Sequence, residues 1–350
     1  MINLITYWDF RNNLWAPAYL IWHGGNPFNI SALFPYCRAV WFPQAPGLFF
    51  FLGLMPFSLA ANLWFLFSIA LLAGLIIYLV RKTNGRVSFS TLLVPTLFVF
   101  LFAPTTRLLY LGQVGFLVIA VILGSIKMLT QRRLLFSGLL LSIALIKPQA
   151  GILIVPGMIT WLVVEKRPKD IIILILATLF WGGVFTIPLW LSDLHWVTGF
   201  LSAMKNNPAW FQPNIFSIAR FKLGAPGIAI WVLLFLVVLF WNTRTWQLKK
   251  PEQAVLWSLA MTPIISPYVW SWDFVLVLPL FLDTWIRSDN RARLFLILAF
   301  SITFVGSVVI LTVGDGNDYI LWWIPIVIMF GVIAAEKYTD KKGRELTQKT

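Results

Sequence analysis

Residues 58–80 read SLAANLWFLFSIALLAGLIIYLV, a stretch without one charged side chain. At a rise of about 1.5 Å per residue, a helix of this length crosses the hydrocarbon core of a bilayer, which takes about 20 residues. The rest of the chain has the same character, because 59% of its 350 residues are hydrophobic and 11% are charged, whereas a soluble domain carries about 25% charged residues. We therefore predict an all-α fold, a polytopic membrane protein built as one helical bundle.

Apolar runs of spanning or near-spanning length predict about eleven transmembrane helices. They lie at 58–80, 88–103, 110–128, 133–147, 149–164, 170–191, 226–243, 253–266, 270–286, 293–312 and 318–336. The runs at 133–147, 149–164 and 253–266 are short, so we expect half-helices or helices covered by protein. Residues 44–57 are apolar but bounded by prolines, and they predict an interfacial or re-entrant helix because they are too short to cross comfortably.

The basic residues lie in small clusters between these runs, which assigns a side of the membrane to each loop. The formal charge is +14, but a set of small clusters is not the single basic stripe that a nucleic acid partner needs. Every second loop is basic, and such loops face the cytoplasm; they are 81–87, 127–133, 165–169, 244–251 and 287–293. The sequence therefore predicts three regions, which are an outer loop with interfacial helices (1–57), a transmembrane bundle with the outer loop 192–225 (58–336), and a basic cytoplasmic tail (337–350). The working surface is then on the non-cytoplasmic side.

Residue counts and motifs exclude several kinds of chemistry. One cysteine forms no intramolecular disulfide, and one cysteine with two histidines cannot assemble a usual zinc site. Nucleotide-binding glycine loops, HExxH and GxSxG are absent from the sequence, so the mechanisms that use them are set aside. No cofactor is indicated, while a divalent cation held by Asp or Glu stays open.

Two charged residues are candidates for chemistry at the outer side. Asp9 stands in the aromatic segment YWDFRNNLWAP, where a carboxylate can accept a proton from a hydroxyl group or simply cap the helix that follows. Lys147 interrupts an apolar run directly before Pro148. Its ammonium group can bind a phosphate as a point charge or extend to the lipid–water interface.

Five further residues are candidates for binding, each with a structural alternative. Gln113, with Arg107 nearby, opens the third apolar run, where a helix N-terminus favours an anionic head group; an amide there also suits a cap or a packing contact. Arg220 can hold a phosphate or lie on a solvated face, and His195 is an aromatic-flanked candidate for contact with a ligand. Asp273 in SPYVWSWDF is a functional candidate by its predicted membrane location, or the acceptor of a buried structural hydrogen bond.

Five segments in order resemble the GT-C glycosyltransferases, most closely glycosyltransferase family 87, the polyprenyl-phosphate-mannose-dependent mannosyltransferases. They are WDFRNNLWAPAYLIWHGGNPFN, VWFPQAPGLFFFLGLMPFSLAANLW, LGQVGFLVIAVILG, GLLLSIALIKPQAGILIVPG and SPYVWSWDFVLVLP. The resemblance implies an integral membrane enzyme of the bacterial plasma membrane. It would move a hexose, mannose in this family, from a polyprenyl-phosphate donor to a hydroxyl of a lipid or glycan acceptor on the outer face, with inversion and among membrane lipids.

The resemblance also implies roles for individual residues. The acidic residue of the family's first outer loop matches Asp9, as general base, and the family's Gly-Gln and Lys-Pro pairs fall at 112–113 and 147–148. Val114 stands next after the Gly-Gln pair, where the family often has asparagine, and Trp272 and Asp273 stand where a histidine is often found. Members usually have a transmembrane helix before the acidic loop, whereas eight residues precede Asp9, so we expect this sequence to begin later than theirs.

Two other functions remain open at this stage. A secondary transporter or lipid flippase is also a helical bundle with a few intramembrane charges, but such proteins often show internal repeats and charges near the bilayer midplane. Here no repeat is evident and the candidates lie towards one predicted face, which favours a transferase. An inactive homologue is the third reading, and transfer of radiolabelled sugar by the purified protein would separate the three.

Overall fold

The computed structural model describes residues 7–35, 37–84, 87–208, 210–313 and 318–347, with side chains to residue 339 apart from Asn84. Every regular element in these ranges is helical, which confirms the all-α prediction. Some predicted features lie outside the described residues: positions 1–6, Arg86 of the first basic loop, positions 314–317 and the side chains of most of the basic tail.

Seventeen α-helices occur in the described ranges, joined by short 3-10 turns and one π-helix. They are α1 (Trp8–Phe10), α2 (Ala16–Trp22), α3 (Gln44–Leu48), α4 (Phe57–Asn84), α5 (Phe89–Leu101), α6 (Ala103–Leu111), α7 (Gly115–Thr130), α8 (Leu134–Ala144), α9 (Ile154–Val164), α10 (Pro168–Ser192), α11 (Trp196–Lys205), α12 (Ile215–Lys222), α13 (Gly224–Leu248), α14 (Pro251–Ile265), α15 (Leu278–Arg287), α16 (Asn290–Val313) and α17 (Ile324–Thr347). The π-helix Arg11–Trp15 joins α1 to α2.

Five of the described helical segments are long and apolar enough to cross a membrane. They are Phe57–Thr83, Pro168–Ser192, Gly224–Leu248, Asn290–Val313 and Asp318–Thr339. A sixth results if α5 and α6, bent by 70° at Phe102, are counted as one broken span. The structure thus supports a multi-pass membrane protein with five or six spans by length and composition, and the count of eleven stays a prediction.

Two predicted elements differ in form from the sequence expectation. The sequence predicts an outer corner at 104–109 after the run 88–103, but these residues belong to α6. The loop predicted at 192–225 is mostly helix, since it contains α11 and α12. Asn214 caps α12, because its Oδ1 accepts the Ser217 backbone N–H at 2.7 Å, so this amide has a structural role at the start of the helix.

Other predicted elements agree with the structure. The short runs at 133–147 and 149–164 contain the eleven-residue helices α8 and α9, and the break expected at Lys147 and Pro148 separates them. Residues 44–54 form α3 and a 3-10 turn, Phe50–Leu54, too short to cross a membrane, and the interfacial or re-entrant placement stays a prediction. The run 253–266 is α14, buried on almost every side, and a helix that is apolar all round is typical of a protein interior or a membrane.

The chain divides into two compact units. The first contains residues 1–71, 108–151 and 158–210. Its centre is the packing of α8 against α7 and α10, where Ser125 and Ser137 exchange hydrogen bonds at 2.9–3.0 Å and Gly138 lies against Ala177 so closely that an added Cβ would be 2.5 Å from the alanine methyl group. Small residues at such contacts let helix backbones approach, as is usual in membrane bundles.

The second unit contains residues 72–107, 152–157 and 211–350. The buried helix α14 lies at its centre, where Ser258 accepts a hydrogen bond from Trp246 Nε1 at 2.8 Å and donates to Asn242 Oδ1 at 2.6 Å. Elsewhere in this unit Phe98 of α5 packs edge to face on Phe281 and Phe300. The buried polar side chains of Trp246, Ser258 and Asn242 therefore satisfy one another, as buried polar groups usually do.

Candidate functional site

Asp9 lies in the first turn of α1, at the start of the first unit. The helix N-cap is Tyr7, held in a left-handed conformation with φ 62°, so Asp9 is not the capping residue that one sequence alternative expected. The Tyr7 backbone N–H donates to the Tyr110 carbonyl at 2.8 Å, which fixes α1 to the end of α6. Burial raises the pKa of the Tyr7 phenol, whereas the Asp9 side chain is half-buried and accessible to a hydroxyl group.

Gln113 binds Asp9 directly. Its Nε2 donates to Asp9 Oδ2 at 2.6 Å across 104 positions of sequence, and its side chain does not cap α7, whose N-cap is Val114. The preceding Gly112 has φ +69°, and an added Cβ would lie 2.6 Å from Phe10 Cβ and 2.8 Å from Tyr7 Cδ1. Only glycine adopts this conformation at little cost. Gly112 therefore leaves room for α1 to pack here, and Gln113 supplies the amide that holds the Asp9 carboxylate.

Asn13 connects Asp9 to a second segment of the same unit. It lies in the π-helix, and its Nδ2 donates to the Asp9 carbonyl at 3.2 Å and lies 3.5 Å from Asp9 Oδ1. Its Oδ1 accepts the backbone N–H groups of Val40 and Trp41 at 2.8 and 3.2 Å. Single π-turns are frequent at functional sites, and this one turns an amide towards both the carboxylate and the segment that carries Trp41.

Lys147 lies beyond Trp41, at the break between α8 and α9. Only 5% of the residue is exposed, so the side chain is enclosed by protein. Its Nζ lies 5.8 Å from the centroid of the Trp41 ring, within cation–π distance. A buried ammonium group acts strongly on an anion because water screens it weakly.

Arg11 is a buried cation of this region that the sequence pattern alone does not single out. Its guanidinium carbon lies 4.7 Å from the Trp8 ring centroid and 4.3 Å from that of Phe34, while Nη2 lies 3.5 Å from Cys37 Sγ. Arg11 and Asn13 stand in the aromatic segment around Asp9, where their polar side chains are easily overlooked, and Trp41 lies in a separate segment with no polar signal beside it. A cluster of one arginine and two asparagines among tryptophans was the available signal.

His195 and Asp193 lie in a different cluster of the first unit. The His195 side chain is 86% exposed and its Nδ1 lies 3.7 Å from Asp193 Oδ1. Asp193 accepts the His195 backbone N–H at 2.8 Å and the Asn26 amide at 2.7 Å. These contacts hold the start of α11 against the N-terminal region, so Asp193 has a structural role and His195 is a surface residue.

Arg107, Arg220 and Asp273 belong to the second unit. Arg107 Nη2 lies 3.3 Å from Asp318 Oδ2, which also accepts the Ser271 hydroxyl at 2.7 Å. Asp273 is buried and its Oδ2 accepts the Trp270 backbone N–H at 3.1 Å, the structural hydrogen bond that one alternative expected. Arg220 is exposed at the end of α12, with its guanidinium carbon 5.1 Å from the Phe221 ring centroid.

The arrangement in the first unit is consistent with one class of protein. The half-buried Asp9 carboxylate, oriented by the amides of Gln113 and Asn13, can take a proton from a hydroxyl group. The buried Lys147, which lies beside Trp41, can stabilise a leaving phosphate. The membrane-length helices α10 and α13 leave most of their apolar surface uncovered, with 17% and 11% of their central windows buried, as expected of helices that face lipid. Such a protein is an integral membrane transferase.

The chain belongs to glycosyltransferase family 87, whose family model matches residues 43–267. That range includes Gln113 and Lys147, while Asp9 and Asp273 lie outside it. No curated protein and no solved structure gave a match. The protein is therefore a membrane glycosyltransferase, and the family assignment decides against a transporter or flippase.

Proposed function

We propose that this glycosyltransferase moves mannose from a polyprenyl-phosphate donor to an acceptor hydroxyl on the outer face of the plasma membrane, with inversion at the anomeric carbon. The observation that carries the proposal is the 2.6 Å hydrogen bond between Gln113 and Asp9, linked through Asn13 and Trp41 to Lys147. It brings together three residues that the sequence resemblance names separately.

In this mechanism Asp9 is the general base. The acceptor hydroxyl gives its proton to the Asp9 carboxylate as its oxygen bonds to the anomeric carbon of the donor sugar. The bond between that carbon and the phosphate oxygen breaks, and the polyprenyl phosphate leaves with the electron pair. Gln113 and Asn13 orient the carboxylate, since donors held in place before the reaction need no reorganisation during it.

Lys147 supports the leaving group in the proposal. The lipid phosphate gains negative charge as the sugar departs, and a positioned ammonium group stabilises that charge. Lysine binds phosphate as a point charge. Arg107 and Arg220, in the second unit, remain candidates for donor contacts, but Arg107 already pairs with Asp318.

The test is transfer by purified protein reconstituted in lipid. Polyprenyl-phosphate [¹⁴C]mannose is supplied with membrane-derived acceptors, and we expect labelled product of inverted anomeric configuration. Polyprenyl-phosphate glucose and a nucleotide-activated mannose serve as competing donors. Transfer from the glucose lipid alone would overturn the sugar assignment, transfer from the nucleotide sugar would overturn the donor class, and no transfer from any donor would favour an inactive homologue.

A further inference from the structure

The second unit contains a polar cavity of about 250 Å³ where several helices end. It is lined by Lys249, which directly follows α13, by Arg287 at the end of α15, and by Glu336 and Thr339 of α17. α13 and the segment Asp318–Thr339 are membrane-length, and α16, also membrane-length, begins three residues after Arg287. The cavity therefore lies at the ends of membrane-length helices, and such ends are where spanning helices meet lipid head groups.

Charges in the cavity are balanced and arranged by depth. Arg287 binds Asp283 Oδ2 through Nε and Nη2 at 2.9 and 2.8 Å, and its Nη2 lies 3.2 Å from Glu336 Oε1; Lys249 Nζ lies 3.6 Å from Glu336 Oε2. The carboxylate side chains are 3% and 19% exposed, whereas the two cations are 37% and 38% exposed. Negative charge thus lies deeper and positive charge lies at the rim.

The charge of Arg287 is secured by its partners. Burial acts to lower the pKa of Arg287, but Asp283 and Glu336 raise it, and the net change is upward. Two cations and two carboxylates give the cavity no net charge. A ligand with both charges matches this pattern better than a simple anion or a simple cation does.

Thr284 points to the kind of ligand. The residue is 2% exposed and lines the cavity, and within the described part of the chain its Oγ1 has no hydrogen-bond partner. Burying a hydroxyl without a partner costs free energy, so a polar ligand atom at this position would be favoured. A primary ammonium group can donate a hydrogen bond to Oγ1, whereas a trimethylammonium group cannot.

We infer that this cavity binds the head group of a phosphatidylethanolamine molecule, with its ammonium group towards Asp283, Thr284 and Glu336 and its phosphate towards Lys249 and Arg287. The volume is below the roughly 300–1,000 Å³ of drug-sized sites, which suits a head group with its acyl chains left outside. The site is separate from the Asp9 cluster, so it does not depend on the proposed donor.

Binding is tested on the full chain, delipidated in detergent, with dihexanoyl phospholipids that carry ethanolamine, choline or glycerol head groups. Native mass spectrometry counts bound lipid and thermal unfolding follows the stabilisation. We expect one ethanolamine lipid to bind saturably, at least tenfold more tightly than the choline lipid. Equal affinity of the two, tighter binding of the anionic glycerol lipid, or no saturable binding would each overturn the inference.

Two variants test the residues. Thr284→Val keeps the shape of the side chain but removes Oγ1, and it should reduce the preference for ethanolamine over choline about tenfold. Thr303→Val is the matched control, because Thr303 is equally buried but donates to the Phe300 carbonyl within α16; it should leave the preference unchanged. Glu336→Gln removes a carboxylate that is proposed to face the ammonium group, so it should also reduce the preference for ethanolamine. An unchanged preference in both Thr284→Val and Glu336→Gln would overturn the site.

Discussion

The Asp9 carboxylate is the group on which the proposed chemistry depends. Asp9→Asn keeps the size of the side chain and an oxygen that Gln113 can bind, so α1 should stay in place. Removal of a general base typically lowers the rate ~10²–10⁴-fold, and we expect that loss in kcat at unchanged donor binding. Initial rates of [¹⁴C]mannose transfer, normalised to folded protein, measure it.

Asp193→Asn is the control for this substitution. Asp193 is a carboxylate of the same unit that binds Asn26 and the His195 backbone, and its loss should leave transfer within about twofold. If Asp9→Asn transfers sugar at the parental rate, Asp9 is not the base.

Lys147 is expected to act on the donor and not on the acceptor. Lys147→Ala should raise the donor KM about tenfold or more while the acceptor KM stays close to parental, because the ammonium group is proposed to meet the lipid phosphate. Lys147→Arg should recover part of the loss, since charge is kept while the fork geometry differs. Kinetics with each substrate varied in turn make the comparison.

Lys205→Ala provides the matched control for Lys147, as Lys205 lies exposed in the last turn of α11 in the same unit. Its removal should change neither KM. A parental donor KM in folded Lys147→Ala would remove Lys147 from the phosphate site.

Individual residues of the candidate site could be named from the sequence, but their contacts could not. A lysine that interrupts an apolar run before proline stands out by its cost in a membrane, and Asp9 stands out as an acid among aromatic residues. The Gln113–Asp9 contact joins positions 104 residues apart, and the part played by Asn13 depends on a π-turn that no residue pattern reveals. Arg107 stood out by its closeness to Gln113 and Asp273 by its predicted membrane location, yet the structure shows them in an ion pair and a backbone hydrogen bond.

At the scale of elements, the junction between α6 and α7 positions the carboxylate. Gly112→Ala places a side chain at φ +69° and against Phe10, so α1 must shift. Overpacking of this kind costs about 1–3 kcal/mol. We expect a lower unfolding temperature. We also expect the rate of sugar transfer to fall at least about tenfold, because the displaced α1 no longer holds Asp9 against Gln113.

Gly183→Ala serves as the comparison, because Gly183 lies within α10 of the same unit and an added Cβ there meets nothing within 4 Å. It should leave the transfer rate unchanged and should not lower the unfolding temperature, because alanine is the better helix former. Equal behaviour of the two variants would show that close packing at Gly112 does not matter.

Apolar runs in the sequence predict where helices occur, but they do not predict whether a helix is enclosed by protein or faces lipid. α14 and α13 are both apolar, yet α14 is enclosed by protein and α13 leaves most of its surface uncovered. Composition cannot separate these cases, because a buried helix and a lipid-facing helix have the same pattern. The helical form of residues 103–111 is also not evident from the sequence, because Pro104, Thr105 and Arg107 interrupt the apolar run just after the bend at Phe102.

For the whole molecule, the basic loops predict the orientation in the membrane. In the second unit Lys82 binds the Glu252 carbonyl and Lys249 and Arg287 share Glu336, so three loops predicted to be cytoplasmic meet. In the first unit, Asn26 and Asp193 join two segments predicted to be external. We expect Lys205→Cys to react with an impermeant maleimide from outside, and Lys250→Cys only after the inner face is opened.

The labelling is done in a Cys37→Ser background, because Cys37 is the one cysteine of the chain. Cys37 is itself buried, and the background variant without a new cysteine gives the signal to subtract. Labelling of position 205 only after opening would reverse the orientation.

The order of the two units along the chain has a consequence for how the protein is made. The second unit begins at residue 72, is interrupted twice, and ends with the last residue. Phe98 of α5 contacts Phe281 in the folded protein, but Phe281 is synthesised 183 residues later. At about 5–20 residues per second, synthesis separates these partners by roughly ten to forty seconds. During that interval Phe98 lacks Phe281 and Phe300, the rings that it contacts in the folded protein. A slower ribosome lengthens the interval, so we expect the yield of folded protein to depend on the rate of translation between residues 102 and 281.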